Sequence, residues 1–412
     1  MFETAPTDAV LAHVRGFDFS GEPAHECGAA RVDAVRELDR IIRAAQAEQA
    51  TQIAALIDER FAMMAGSGDP VLSVIGEISM ARTIGPTAAG NQIELAMGMA
   101  RMPQVFTLFR DGIISEATAR AVAIETRSLH VDDGIVADAE IAAKIAGMTT
   151  VQARQCAARI VIGLDAEAAH ERARRNRADA RVTMTPESDG VATLHVRGPA
   201  EEILAAYKTL DDWATGLRST GDPRTRGRIM GQTLVERVTG LAYADEADVE
   251  IQLVLDAETL LAGGDTPVDL VGFGPISPDV ADEIIARART ASVRRLLIDP
   301  VDGSLLVRES RRRRFDRTTS AHIRTRDRRC RQPGCDLSIR DDDHIVDYQH
   351  GGQTTADNGQ GLCKRSHTLK HQPGWQVTGD GKITTWRTPT GHEYRSTPPP
   401  VLPGRDLGHL RQ

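Results

Sequence analysis

Through most of the first 180 residues, apolar positions recur every three or four residues, the spacing of helices that bury one face. Between Arg31 and Phe61, the residues Val32, Val35, Leu38, Ile41, Ile42, Ile53, Leu56, Ile57 and Phe61 keep mostly to it. Gly66-Ser67-Gly68-Asp69-Pro70 interrupts the pattern. The same period predicts helices over Val71–Thr83, Thr87–Arg110, Ser115–Arg127, Asp138–Met148 and Thr150–Arg177, with turns at Arg110-Asp111-Gly112 and Asp132-Asp133-Gly134.

At Ala180 the period changes. Arg181–Thr185 and Val191–Val196 alternate or are β-branched, with Pro186–Gly190 as the turn of a hairpin. Helices follow over Ala200–Leu217, Arg224–Thr239 and Pro278–Arg289, with a strand at Val249–Leu255. Arg295–Asp299 and Ser304–Val307 read as a second hairpin turning at Asp302-Gly303. The expected fold is multidomain α+β. Residues 1–290 form a helix-rich N-terminal domain with small β-hairpin or sheet elements, and 291–329 a hairpin and Arg-rich connector. Residues 330–397 form a small C-terminal module, and 398–412, with three consecutive prolines, a disordered tail.

Composition sharpens this picture. Aromatics are only 4% of the 412 residues while hydrophobics reach 41%, which suits a helical body rich in aliphatic side chains. No apolar run reaches membrane-spanning length, and the N-terminus lacks the basic flank and apolar core of a secretory signal. The expected setting is the cytoplasm, where cysteines stay reduced and bind metal more readily than they pair. Cys27 and Cys156 stand alone and read as small buried hydrophobes, whereas Cys330, Cys335 and Cys363 share one segment with His, Asp and Arg. Charge is also uneven. From Arg308 to the end there are 20 Lys+Arg against 12 Asp+Glu, whereas the first 307 residues carry 30 against 46. An acidic body with a basic C-terminal segment is the distribution of a soluble domain carrying a polyanion-binding module.

That segment reads Cys330-Arg-Gln-Pro-Gly-Cys335, then Asp343-His344-Ile345-Val346, Gly351-Gly352, Asn358, Leu362-Cys363, His367 and His371. Asp343 and His344 sit at the end of an expected strand, where neighbours point to opposite sides, so one can face a cation and the other a water. Gly351-Gly352 allows a tight reversal. A helix is expected to start near Asp357-Asn358 and to stop at Pro373-Gly374, placing His367 and His371 on one face. Two helical imidazoles and a strand carboxylate half-fill the coordination shell of a divalent metal, leaving His344 free as a base. Asp341, Asp342 and Asp343 also admit a plainer reading as a solvated acidic loop. His350 is given no role.

The segment resembles the HNH endonuclease fold, a β-hairpin and helix around one metal. The whole chain, from about Arg31 to Pro400, resembles actinobacterial HNH proteins with an N-terminal domain of unknown function of the DUF222 type, the thirteen-E-twelve repeat relatives. Supporting stretches are Gly221-Asp-Pro-Arg-Thr225, Leu270-Val-Gly-Phe-Gly-Pro-Ile276, Arg295-Leu-Leu-Ile-Asp-Pro300 and Thr388-Pro-Thr-Gly-His392. The resemblance implies a ββα-metal nuclease module cleaving DNA, with His344 as general base and Asn358 fixing the loop around it or adding to the metal site. Asp343 and His367, with His371 in some relatives, are then ligands to one divalent cation: Mg²⁺, Mn²⁺ or another first-row ion. Many relatives add a structural zinc on two Cys pairs. Here Cys330, Cys335 and Cys363 match three ligands and Ser366 replaces the fourth, so the site is completed by water or a nearby His, or is lost. Asp347 stands where relatives often have Pro.

Between Arg308 and Arg331 lie 11 Arg against three acidic residues. Leading into a phosphodiesterase site, this run reads as a phosphate-gripping surface, with Arg311, Arg312, Arg313, Arg314, Arg328, Arg329 and Arg331 as the contacts. The expected partner is DNA, and the N-terminal domain is a candidate for homo-oligomerisation. Two other functions fit the same residues: a DNA-binding or mobile-element accessory protein with an inactive HNH fold, and a zinc-ribbon interaction module.

Overall fold

The computed structural model describes residues 24–64, 66–240, 253–255, 264, 266–287 and 314–399. Helices dominate, accompanied by small antiparallel sheets. Contacts divide the chain into two compact units, residues 1–173 and 174–412. No helix among the described residues is long and apolar enough to cross a membrane.

The first unit is built from α1 (Ala24–Met63), α2 (Pro70–Arg82), α3 (Pro86–Ala100), α4 (Pro103–Arg110), α5 (Glu116–Thr126), α6 (Val131–Ala142) and α7 (Thr150–Leu164). Proline occupies the first turn of α2, α3 and α4, where its missing N–H costs nothing and its fixed φ suits a helix start. Asp69 caps α2 by accepting from the Leu72 amide, and Thr149 with Gln152 forms a capping box on α7. Ile57, Ile93, Phe109, Val122, Ile141 and Val161 meet in one apolar core. Burying each such side chain stabilises the fold by about 1.5–3 kcal/mol. Gly98 permits the close approach of α3 and α5, since a Cβ there would lie 2.3 Å from that of Ala123.

Three helical expectations are corrected within this unit. The pattern over Thr87–Arg110 is two helices, because Pro103 cannot donate to the preceding turn. The new start is capped from a distance: the Asp138 carboxylate accepts from the Gln104 and Val105 amides at 2.8 and 2.9 Å. Second, α6 begins at Val131, not Asp138, and takes Gly134 inside it. Asp132 and Asp133 suit its first turn, where amides point outward. Third, Thr150–Arg177 breaks at Asp165 into α7 and α8 (Ala166–Ala178).

The expected hairpin is present as β1 (Arg181–Pro186) and β2 (Ala192–Arg197), paired from Arg181↔Arg197 to Pro186↔Ala192. It is followed by α9 (Ala200–Ser219) and α10 (Arg226–Thr239). A small sheet joins β3 (Leu253–Val254), β4 (Val268–Leu270) and β5 (Gly274–Ile276), with α11 (Pro278–Arg287) after it. The hairpin expected over Arg295–Val307 lies outside the described residues, as do Arg311, Arg312, Arg313 and all but 398 and 399 of the tail.

The C-terminal elements are α12 (Arg317–Asp327), β6 (Asp341–His344), β7 (Gly359–Leu362), α13 (Lys364–Lys370), β8 (Gln376–Gly379), β9 (Thr384–Arg387) and β10 (Glu393–Ser396). β6 and β7 are antiparallel, with His344 opposite Gly359, and β10-β9-β8 form a separate sheet. The helix expected from Asp357-Asn358 starts later. Residues 359–362 pair with β6, and Cys363 caps α13 instead. α12 was not expected from the apolar pattern; Asp316 caps it by accepting from the Thr319 amide at 2.8 Å. It packs on β7, where a side chain at Gly359 would meet Ile323 at 2.4 Å. The packed module therefore reaches upstream of Cys330.

Candidate metal centre

Strand alternation sorts the three aspartates of β6. Asp342 faces α12, accepting from Ser320 at 2.5 Å and pairing with Arg324 at 3.0 Å. Asp341 and Asp343 share the opposite face, over α13. One donor atom each from Asp343, His367 and His371 lies within 4.8 Å of the others. The His367 and His371 ring centroids are 5.4 Å apart. His367 Nδ1 meets Asp341 Oδ2 at 3.1 Å, which turns Nε2 toward Asp343 Oδ1 at 3.5 Å. Asp347 Oδ2 stands 3.8 Å from His371 Nδ1. Burial pushes the Asp341 carboxyl up, but Lys364 and His367 outweigh it and hold the group below its ordinary range. Two imidazoles and a carboxylate so arranged fit one first-row divalent cation, and the carboxylates behind the rings are the usual orienting partners of metal-bound histidines.

His344 leaves the strand on the other side and does not join that cluster. Its Nε2 lies 2.9 Å from the hydroxyl of buried Thr354, and its ring packs on Phe315 with centroids 4.5 Å apart. Asn358 ties down the loop that follows. Its Oδ1 accepts from the Val346 amide, and its Nδ2 donates to the Val346 and Gln353 carbonyls at 3.0 and 2.8 Å. The loop reverses through Gly351, at φ +89°, and Gly352, whose position admits no Cβ because one would sit 1.7 Å from the Val346 carbonyl oxygen. Among the described contacts Asn358 holds the loop and makes none with the cluster.

The thiols form a second cluster. Cys330, Cys335 and Cys363 place their sulfurs within 4.8 Å of one another. Ser366 completes the set: its hydroxyl is 3.1 Å from the sulfurs of both Cys330 and Cys363, and it donates to Gln332 at 2.7 Å. Hydrogen bonds from Cys330 and Cys335 push the Cys363 thiol down, while burial pushes Cys330 up. Three converging sulfurs fit a soft cation such as Zn²⁺, with a neutral hydroxyl as the weak fourth donor.

The arginine reading needs correction. Arg331 is only 2% exposed. It bonds Asp327 at 3.1 Å and the Ser396 carbonyl at 2.8 Å, and Asp327 in turn holds Arg326 and accepts from the Gly361 amide. This buried Arg–Asp–Arg network joins α12 and β7 to the Ser396 end of β10 and cannot grip DNA. Arg328 is largely buried against Asp269, and Arg329 is exposed but donates to the Phe273 carbonyl at 3.2 Å. Arg314 is exposed.

A family model described as a domain of unknown function (DUF222) matches residues 32–327, well over half of the chain. The chain belongs to the DUF222 family. The DUF222 match ends where α12 ends, so both clusters lie beyond it. An uncharacterized protein of Mycobacterium tuberculosis H37Rv, Rv3776, is 27% identical over 78% of this chain and 70% of its own length. A second from that strain, Rv2100, is 25% identical over 90% of this chain and 78% of its own length. An uncharacterized protein of strain CDC 1551, MT2160, gives the same figures. No solved structure matches this DUF222 chain.

Several site residues escape a motif-based reading. Asp341 carried a signal, since it is two residues from Asp343 and shares its strand face. Lys370 carried one too, three residues from His367 on the same helix. Thr354, Gln360 and Phe315 reach the site only through tertiary packing and carried none.

Proposed function

We propose that the segment from Phe315 to Ser396 is an HNH-type nuclease module that hydrolyses phosphodiester bonds in DNA. The observation that carries the reading is the convergence of Asp343, His367 and His371, next in sequence to a histidine whose ring is braced by Thr354 and Phe315. Asp343, His367 and His371 hold one divalent cation, which when bound supplies positive charge to the phosphate oxygens. Two imidazoles among three ligands extend the choice beyond Mg²⁺ to Mn²⁺ and later first-row ions.

His344 serves as the base. Its ring is held by the Thr354 hydroxyl, 2.9 Å from Nε2, and by Phe315; the imidazole takes a proton from water as the water oxygen attacks phosphorus in line and the opposite P–O bond breaks, its oxygen gaining a proton from solvent. Asn358 keeps the following loop from shifting under the ring. The exposed Arg314, Arg317 and Arg340 supply phosphate contacts that give affinity without reading sequence. Cys330, Cys335 and Cys363 hold a structural zinc, with Ser366 or a water as the fourth donor.

The test is plasmid cleavage across a Mg²⁺, Mn²⁺, Co²⁺ and Zn²⁺ series. His344→Ala is expected to lose on the order of 10²–10⁴-fold in rate, and metal analysis of both proteins to give one bound zinc that Cys363→Ala removes. Equal cleavage by wild type and His344→Ala would refute the base. Salt-sensitive DNA binding with no cleavage at any metal would leave a DNA-binding protein on an inactive fold.

A further inference from the structure

Lys370 ends α13, and its side chain is only 5% exposed. Its ammonium meets Asp343 Oδ2 at 3.0 Å and Asp347 Oδ1 at 2.6 Å, and donates to the His344 carbonyl oxygen. An ammonium has three N–H donors, and these three acceptors use them all. Lys370 thus has nothing left to offer a substrate. We propose that it is the positioning residue of the metal centre, fixing which oxygen of Asp343 faces the cation and tying the main chain of His344 to the same point. The inference rests on the metal reading of Asp343, His367 and His371.

Three observations carry it. First, Gln360 also donates to Asp343 Oδ2, at 3.1 Å, so that oxygen has two donors. The other, Oδ1, is the one turned to His367 Nε2 at 3.5 Å. A carboxylate pinned in this way offers one oxygen in one direction. Second, Asp341, Asp343 and Asp347 bring three carboxylates to one side of α13. Lys364 answers Asp341 from a side chain 77% exposed, where water screens the charge, whereas Lys370 answers Asp343 and Asp347 from the interior. Third, Asp347, held by Lys370, is also the carboxylate nearest His371 Nδ1. One cation therefore sets the posture of the Asp343 ligand directly and of His371 through Asp347, and it anchors the residue bearing the base through its carbonyl.

Removing the ammonium leaves Gln360 as the one described donor to Asp343 Oδ2 and sets buried Asp343 against part-buried Asp347 with no cation between them. Partners behind metal ligands typically change metal affinity by about 10–100-fold. The experiment is Mn²⁺ titration of the full chain by electron paramagnetic resonance, since Mn²⁺ favours oxygen and nitrogen donors over the thiol cluster. Wild type is expected to bind one Mn²⁺ that Asp343→Ala and His367→Ala abolish. Lys370→Met is expected to bind about 10–100-fold more weakly, with partial recovery in Lys370→Arg, while the near-ultraviolet circular dichroism of the Trp375–Trp386 pair stays unchanged. Wild-type affinity in a folded Lys370→Met protein overturns the proposal. Should that variant lose its tryptophan signal, Asp347→Asn decides, with several-fold weaker binding supporting the proposal and unchanged binding overturning it. Mn²⁺ binding indifferent to Asp343→Ala and His367→Ala sinks the metal reading itself, and the positioning role with it.

Discussion

The helical unit of residues 24–164 and the module of residues 315–396 bury different chemistry. In the first, Phe109, Ile141, Ile93 and their neighbours fill the interior, and the buried charges among the described residues are few: Arg60 paired with Glu77 at 2.6 Å, and Asp138. In the second, Ile323, Leu362 and Trp386 share the interior with Arg326, Asp327, Arg331, Asp343, Gln360 and Lys370. An apolar core draws its strength from area removed from water and is indifferent to pH. Buried charges contribute only while every partner is present and in the right protonation state. The module is therefore the more conditional of the two regions.

The largest effect expected from that contrast is on Asp327. Replacing it with Ala strands Arg326 and Arg331 and leaves the Gly361 amide without its acceptor, at a cost of about 3–5 kcal/mol. The near-ultraviolet contribution of the Trp375–Trp386 pair should be lost while the far-ultraviolet helix signal of the first unit survives. Phe109→Ala should cost a similar amount, about 3–5 kcal/mol, in the helical unit alone. If either substitution melts both regions together, the contrast fails.

Acid provides a smaller effect. His322 is 2% exposed, its Nδ1 has no hydrogen-bond partner, and burial lowers its pKa from 6.5 to about 4, helped by Arg326 and opposed by Asp327 and Asp357. The folded protein keeps this ring neutral while the unfolded chain protonates it below pH 6.5. Its contribution is thus fully present above that value and is lost as pH falls toward 4, by up to about 3 kcal/mol. Urea titrations at pH 7, 5.5 and 4.5 should show the module weakening with acid, and His322→Gln should flatten that slope. An unchanged slope in the variant removes His322 from the account. The smallest effect concerns Asp138→Ala, which uncaps α4 and should cost about 1–2 kcal/mol in the helical unit, measured by the shift of its urea midpoint.

Much of the helical unit was legible because amphipathic spacing and proline starts are local signals. Its breaks were harder to see, since the cap on α4 comes from a residue 34 positions later. In the module, the candidate ligands could be found because Asp343, His367 and His371 follow strand and helix periods. The strand over 359–362 was hidden by its composition, Gly-Gln-Gly-Leu, which shows no β pattern on its own. Arg331 was misread for a similar reason. A basic run looks like surface until a buried carboxylate such as Asp327 claims one of its members.

The dual membership of α12 has a practical corollary. The helix is the last element of the DUF222 match, yet Ile323 lies against β7 and Phe315, just ahead of it, supports the His344 ring. A shortened chain beginning at Cys330 would lack one wall of its C-terminal module. Gene fusions, splits or transplants of this module have to carry the stretch from Phe315 onward, so the family boundary at 327 is not a place where the polypeptide can be cut.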